Sequence, residues 1–320
     1  MWSFLQKANK KYNLDIKNFS ELYQWSVGDN RTDFWDLFWD EVEIIHSGTY
    51  KQVVDVNARM DSIPHWFKGV KMNFAENLMF TRGSRTDETS KTNKEDDRVV
   101  VTEVREGATE IKQYNWGQIR HRVGILSNAM RAHGVKKGDR VAVVASNSLD
   151  TLCVFLAVTA LGGMFSSSST DMGTKGILDR LLQISPVFVF IDDWAVYNGN
   201  TMDLRPKINE LVAGLKDDKI FKGVVTQRRF AQFADLSAVP RATTWDQFTA
   251  AAGGNAKLTF EPLEYRDPFL VVYSSGTTGI PKCIVHSVGG VLTSTMKEGK
   301  IHRDIGVDTV GLQYTTVSSS

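Results

Sequence analysis

A chain of 320 residues with a formal net charge of +1, 42% hydrophobic and 23% charged, reads as a globular protein of about two domains and excludes general disorder. So small a net charge gives no electrostatic reason to expect nucleic acid or an anionic membrane as a partner. Two cysteines, Cys153 and Cys283, are too few for a disulfide scaffold or a thiolate zinc site.

Residues 1–11 interleave aromatic and basic side chains without an apolar run, so no signal peptide is expected. The most apolar stretch, residues 153–165, falls short of a membrane span. The expectation is a soluble cytosolic (cytoplasmic) chain. Within residues 33–40, Phe34, Leu37 and Phe38 recur at helical spacing with Trp35 and Trp39 beside them, which predicts a short amphipathic helix used for packing. The segment after Pro64, through Trp66, Phe67, Met72, Phe74 and Leu78, is expected to lead from extended chain into a helix. Residues 82–98 are almost wholly polar and read as a surface loop or boundary.

Beyond that boundary the pattern changes. Val99-Val100-Val101 reads as a strand and residues 116–133 as a helix ending at Gly134, with Trp116 in the core. Residues 141–145 read as a buried strand, 152–161 as a buried helix, 176–184 as a helix and 187–191 as a strand. Ser166 to Ser169 read as a loop. Alternating strands and helices at this spacing indicate a parallel α/β sheet, and continuous apolar strands indicate a sheet covered on both faces. Residues 222–225 form a possible short strand, residues 226–260 carry no periodic signal, and residues 269–273 are the next strand.

That strand runs into Ser274-Ser275-Gly276-Thr277-Thr278-Gly279-Ile280-Pro281-Lys282. Small residues let successive backbone N–H groups converge on an anion, and Gly276 and Gly279 allow close approach to a polyphosphate. The hydroxyls of Ser274, Ser275, Thr277 and Thr278 add donors, and Lys282 adds a point charge. Pro281 biases Ile280 toward extended geometry, so the loop is expected to join two strands, the second at residues 283–286. Walker-type, G-x-G-x-x-G, H-E-x-x-H and G-x-S-x-G patterns are absent from the sequence. His286 follows the loop and is equally a phosphate neighbour or a plain strand residue. His46, His65, His121, His133 and His302 have no ligand spacing, and Asp192-Asp193 read as surface caps at a strand end.

The loop resembles the signature of the adenylate-forming acyl-CoA ligases, with Cys283 in place of that signature's last glycine. Cys283-Ile284-Val285-His286-Ser287, Trp66-Phe67-Lys68-Gly69-Val70-Lys71-Met72-Asn73-Phe74-Ala75-Glu76-Asn77-Leu78, Gly138-Asp139-Arg140-Val141, Ser167-Ser168-Ser169-Thr170-Asp171-Met172-Gly173 with Gly176-Ile177-Leu178-Asp179-Arg180, and Ala195-Val196-Tyr197-Asn198-Gly199 resemble the acetoacetate–CoA ligases among them. The resemblance spans nearly the whole chain. It implies an α/β fold: part of the family's large domain, parallel-rich sheets flanked by helices, with an N-terminal helical extension and no C-terminal domain. Residues 1–97 would be that extension with a polar linker, and residues 98–320 an incomplete AMP-binding domain.

The family is one of AMP-forming acid–thiol ligases, so the resemblance implies ATP, Mg2+ and CoA, with acetoacetate as the acid. Ser274, Ser275, Gly276, Thr277, Thr278, Gly279 and Lys282 would bind the ATP phosphates. No catalytic residue and no metal ligand are carried over, since the family's adenine, ribose and catalytic-lysine segments match nothing before Ser320. No arginines stand near Tyr197 to assign a CoA site. After Thr315-Thr316-Val317 the serines 318–320 depart from the family pattern. The expectation is a chain that does not complete the reaction alone, with residues 309–317 as a strand near an uncovered sheet edge. The alternatives are a regulatory or partner-binding fragment associated with a full-length ligase, and an unrelated nucleotide-binding α/β protein.

Overall fold

The structure is a computed structural model that describes residues 1–84, 86–232, 234–274 and 281–312, and only the backbone of Met60. Its described residues form two compact units. The first comprises Met1–Thr92, Pro262–Asp267 and residues 287–312; the second comprises Asn93–Glu261 and Pro268–His286.

In the first unit, the heptad-like spacing of Phe34, Leu37 and Phe38 produces the helix Arg31–Val42, and all three side chains are buried. Trp39 is buried as well, so the apolar stripe is wider than the spacing of three residues suggests. Its indole stacks on Phe67 at 4.2 Å between ring centroids, and Phe67 in turn meets Tyr265 at 5.5 Å. The segment after Pro64 does lead from the strand Lys71–Met72 into the helix Phe74–Met79. That strand pairs antiparallel with His46–Ser47 and with Leu263–Glu264, which brings the return segment into the unit.

The second unit is built on seven strands: β1 (Arg140–Val144), β2 (Met164–Ser168), β3 (Phe188–Asp192), β4 (Gly223–Gln227), β5 (Ala242–Thr244), β6 (Pro268–Ser274) and β7 (Lys282–Ser287). Their spatial order is β5-β4-β3-β1-β2-β6-β7. The five pairings from β5 through to β6 are all parallel. Residues of β1 and β3 are buried on both faces, as their continuous apolar runs predict. On one face Ala142, Val144, Val189, Ile191 and Val224 pack with Ile177 and Leu181 of the helix Thr174–Ile184 and with Ile208 and Leu211 of the helix Arg205–Gly214. On the other face Phe188 and Phe190 pack against Phe248 of the helix Trp245–Ala250.

Helix starts follow local chemistry. Asn115 and Gln118 form a capping box at the helix Trp116–Ala132, and Ser148 accepts from the Thr151 N–H at the start of Leu149–Ala160. Within Trp116–Ala132, Gly124 is required by close approach: a Cβ there would stand 2.0 Å from the Ala256 carbonyl oxygen.

Several expectations are corrected. The serine run is not a loop: Met164–Ser168 is a central strand, with Ser166 and Ser168 buried between two parallel neighbours. Hydrogen bonding on both sides holds a strand whose polar side chains conceal it from a hydrophobicity reading. Val99–Val104 is a strand but pairs antiparallel with Ile111–Asn115, outside the seven-stranded sheet, and exposes Val99 and Val104. The polar stretch 82–98 contains the strand Lys91–Asn93, hydrogen-bonded to Phe80–Arg82. Residues 226–260 hold β5 and the helix Trp245–Ala250. Trp116 is half-buried, with the Lys94 ammonium 4.9 Å from its ring centroid. Residues 309–312 form no strand, and the rest of that expected strand lies outside the described residues.

Candidate functional site

Strand β6 ends at Ser274, β7 begins at Lys282, and the two are neighbours in the sheet. The segment between them therefore leaves the carboxyl end of a strand lying parallel to β2, the edge where open α/β sheets bind ligands. Ser275, Gly276, Thr277, Thr278 and Gly279 lie outside the described residues. Ser274 and Lys282 are described, the first half-buried and the second exposed. His286 sits four residues farther along β7, roughly 13 Å from Lys282 at about 3.3 Å per residue. It is a residue of the far end of the strand.

Both stems of this segment are tied to one helix, Thr174–Ile184, which sequence reasoning did not connect to the loop. The Tyr273 hydroxyl donates to the Arg180 carbonyl oxygen at 2.9 Å, and the Arg180 guanidinium lies 5.4 Å from the Tyr273 ring centroid. Burial raises the Tyr273 phenol well above its ordinary value, so it stays protonated and able to donate. Across the loop, the Gln183 side-chain N–H donates to the Pro281 carbonyl oxygen at 3.1 Å, and the Cys283 thiol donates to Gln183 Oε1 at 3.3 Å. Burial also raises the Cys283 thiol, which keeps it neutral. Cys153, fully enclosed in the helix Leu149–Ala160, is pushed up to about 12 by burial; both cysteines are free thiols.

The aspartates at the end of β3 are not surface caps: Asp192 is 5% exposed and Asp193 0%. Asp192 accepts from the backbone N–H and the hydroxyl of Ser146, both at 2.8 Å. Asp193 accepts from the N–H groups of Arg229 and Ala234, at 2.8 and 3.1 Å. They clip together the chain segments that follow β1, β3 and β4. Near these loops lies a cleft of about 750 Å3, with Arg105, Arg122, Arg229, Tyr114 and Trp245 among its lining. Its arginines are already committed, Arg105 to Glu103 at 2.8 Å, Arg122 to Asp150 at 3.1 Å and Arg229 to Glu110 at 3.0 Å. At the segment that resembles the family's CoA region, Asn198 and Gly199 form the turn of the hairpin Trp194–Tyr197 and Asn200–Asp203. Both of their N–H groups donate to the Glu106 carboxylate.

Comparison with known proteins identifies what this framework is. The AMP-binding enzyme family matches residues 87–318, and the acetyl-coenzyme A synthetase N-terminus family matches residues 19–78. The chain belongs to the AMP-binding enzyme family. Among curated members, an acetoacetyl-CoA synthetase from Danio rerio is 36% identical over 98% of this chain and 45% of that protein. A malonamoyl-CoA synthetase from Penicillium aethiopicum is 36% identical over 95% of this chain and 41% of its own length. The solved acetoacetyl-CoA synthetase from Streptomyces lividans superposes with a TM-score of 0.84 at 28% identity, covering 99% of this chain and 46% of that one. The chain thus spans about 45% of the length of the curated relatives it matches. The parallel-rich α/β architecture with its N-terminal helices is that of the first part of an AMP-binding enzyme. No helix among the described residues is long and apolar enough to cross a membrane.

Proposed function

We propose that this chain carries the triphosphate-gripping part of an AMP-forming acid–thiol ligase acting on a short acid with a carbonyl two carbons from the carboxylate. Support for the acid class comes from two relatives, named for acetoacetyl-CoA and malonamoyl-CoA. Acetoacetate and malonamate are near-isosteres that differ by a methyl against an amino group on the same 3-oxo acid skeleton. In the first step the carboxylate oxygen attacks the α-phosphorus of ATP and pyrophosphate leaves. In the second, the CoA thiol attacks the acyl carbon, loses its proton and releases AMP.

The protein's task in the first step is to hold negative charge as pyrophosphate departs, which is electrostatic preorganisation. Ser274, Ser275, Gly276, Thr277, Thr278 and Gly279 would supply donors and Lys282 a cation. Mg2+ would arrive bound to the nucleotide; among the described residues no three His, Cys, Asp or Glu side chains gather to hold a metal of their own. The observation that carries this reading is the family match over residues 87–318 together with the position of Ser274 and Lys282 at the carboxyl edge of the sheet.

Because the 320 residues span under half the length of the relatives, they are proposed to bind polyphosphate without completing acyl transfer by themselves. Acetoacetate-dependent ATP–pyrophosphate exchange by the purified chain should not exceed that of a Lys282→Ala control. Exchange clearly above that control overturns this part of the reading. Among the described residues β7 is the last strand of the sheet, and with Ile284 41% and Val285 56% exposed it favours a second reading in which the chain associates with a full-length ligase. Co-purification with such an enzyme, abolished by Val285→Lys, is its test.

A further inference from the structure

In the first unit, Trp39 and His46 meet in the core with ring centroids 5.3 Å apart, and the indole Nε1–H donates to His46 Nε2 at 3.3 Å. An indole nitrogen only donates, so Nε2 must carry a lone pair, and the single proton of a neutral imidazole then sits on Nδ1. That second nitrogen is buried and has no hydrogen-bond partner among the described residues. The pair therefore fixes both the charge state and the tautomer of His46. His46 is 8% exposed, and Trp39 also stacks on Phe67, so the contact lies where the helix Arg31–Val42 meets the small three-stranded sheet of this unit.

A proton on Nε2 would set two N–H groups against each other and bury a charge. Burial is the largest influence on the imidazole and holds it below its ordinary value near 6.5; Arg82 acts in the same direction, whereas Glu88 and the backbone of Gly48 and Ser47 favour the charged form. Beside the ring opens a cleft of about 490 Å3, lined by Asp40, Glu41, Glu43, Arg82 and Glu88 as well as by His46 itself. Arg82 pairs with Glu88 at 3.2 Å, Lys11 with Asp40 at 3.2 Å and Lys7 with Glu41 at 2.5 Å. Four carboxylates thus stand against these three cations, and the cleft favours one more positive charge. Lys71 and Glu264, on the paired strands, alternate to the opposite face of the sheet from His46 and Met72.

We infer that Trp39 and His46 form an acid-released latch in the first unit: a proton taken from solvent onto Nε2 breaks the indole bond, and the charged ring turns out into the acid-lined cleft. Folded His46 binds its proton less tightly than the unfolded chain does. The stability contributed by the neutral ring is therefore fully present above about pH 6.5 and lost as pH falls through the lowered folded value. Within that window unfolding takes up one proton, so the unfolding constant rises by up to about tenfold per pH unit.

The experiment is a titration of the nitrogen-15-labelled 320-residue protein from pH 8 to pH 4.5, following the histidine ring nitrogens and the tryptophan indole N–H signals by NMR. Trp39→Phe and His46→Gln identify the two signals, and His46→Gln keeps an acceptor oxygen for the indole while removing the titration. At pH 8 the His46 proton is expected on Nδ1. As pH falls, the His46 ring and the Trp39 indole signal should titrate with one shared midpoint below 6.5. In His46→Gln the Trp39 signal should not move. Glu88→Gln removes a carboxylate that favours the charged ring and should lower the midpoint. In urea unfolding, the ratio of the wild-type to the His46→Gln unfolding constant should rise by up to about tenfold per pH unit below 6.5, because other groups titrate alike in both proteins.

A proton on Nε2 at pH 8, a Trp39 signal that stays fixed while His46 titrates, or a His46 that remains neutral in folded protein down to pH 4.5 overturns the inference. A midpoint unmoved by Glu88→Gln overturns the part given to the cleft. If acid unfolds the wild type before the titration is complete, the acid midpoint decides: a lower one in His46→Gln supports the latch and an unchanged one overturns it. If His46→Gln fails to fold, the wild-type tautomer and the shared midpoint decide.

Discussion

Asp192 shows how one side chain at the carboxyl edge of the sheet trades stability against structure. Burial pushes its carboxyl up to about 6, against the two Ser146 bonds and nearby Arg105, which favour the ionised form; neighbouring Asp193 adds to the upward push. An ordinary aspartate in the unfolded chain titrates near 3.9. The folded state therefore binds the proton more tightly, and the associated stability is fully present below about pH 4 and lost as pH rises through about 6. A shift of about two units corresponds to roughly 3 kcal/mol. Asp192→Asn retains an oxygen that accepts from Ser146, so relative to wild type it should gain up to about 3 kcal/mol of stability between pH 4 and pH 7.5. Urea unfolding at both pH values measures this. A variant whose stability tracks wild type at both would show that the buried carboxyl does not titrate in this range. Sequence alone suggested surface capping for this residue, because the contacts that bury it come from the segment following β1 and from β4, which are distant in the chain.

At the scale of elements, the strands easiest to read were those whose side chains advertise burial. The runs in β1, β3 and β6 are apolar on both faces, and the helices at Trp116–Ala132 and Thr174–Ile184 combine periodicity with clear ends. Strand β2 was missed because Ser166, Ser167 and Ser168 carry no hydrophobic signal, although β1 and β6 flank it on both sides. Strand β5 has only three residues, too few for alternation to register. The Asn198-Gly199 turn was readable as a hairpin signal, since both residues take positive φ, yet only the strand before it, Trp194–Tyr197, is apolar, while the strand after it, Asn200–Asp203, is too polar to call attention to the pair. For the loop, the small-residue string marked a candidate anion site. Its anchors at Arg180 and Gln183 were hidden because they are tertiary contacts spanning 93 and 98 positions of sequence. The core face of Thr174–Ile184 gives a direct test of this division of labour. Leu181 is buried among Ile208, Leu211 and Val224, so Leu181→Ala should cost about 2–5 kcal/mol by leaving a cavity. Chemical denaturation measures the loss; a loss below about 1 kcal/mol would mean that the helix repacks freely and cannot serve as a rigid platform for the loop stems.

At the scale of the whole molecule, ligand binding and folding are linked, and the linkage reports where the polyphosphate sits. A ligand that binds only the folded state stabilises it by about 2.7 kcal/mol at a concentration 100 times its dissociation constant. For a unit of 150–250 residues this corresponds to a rise in melting temperature of roughly 5–10 °C. The loop stems at Ser274 and Lys282 both belong to the unit formed by Asn93–Glu261 and Pro268–His286. The tryptophans divide between the units: Trp2, Trp25, Trp35, Trp39 and Trp66 in the first, Trp116, Trp194 and Trp245 in the second. Single-tryptophan variants retaining Trp39 or Trp245 therefore report each unit separately. Saturating tripolyphosphate should raise the transition reported by Trp245. If the units unfold as one cooperative body, Trp39 follows by the same amount; if they unfold separately, Trp39 stays where it was. A shift seen at Trp39 with Trp245 unmoved would place the anion on the N-terminal helical unit, and the small-residue loop after β6 would then not be where this chain takes up phosphate.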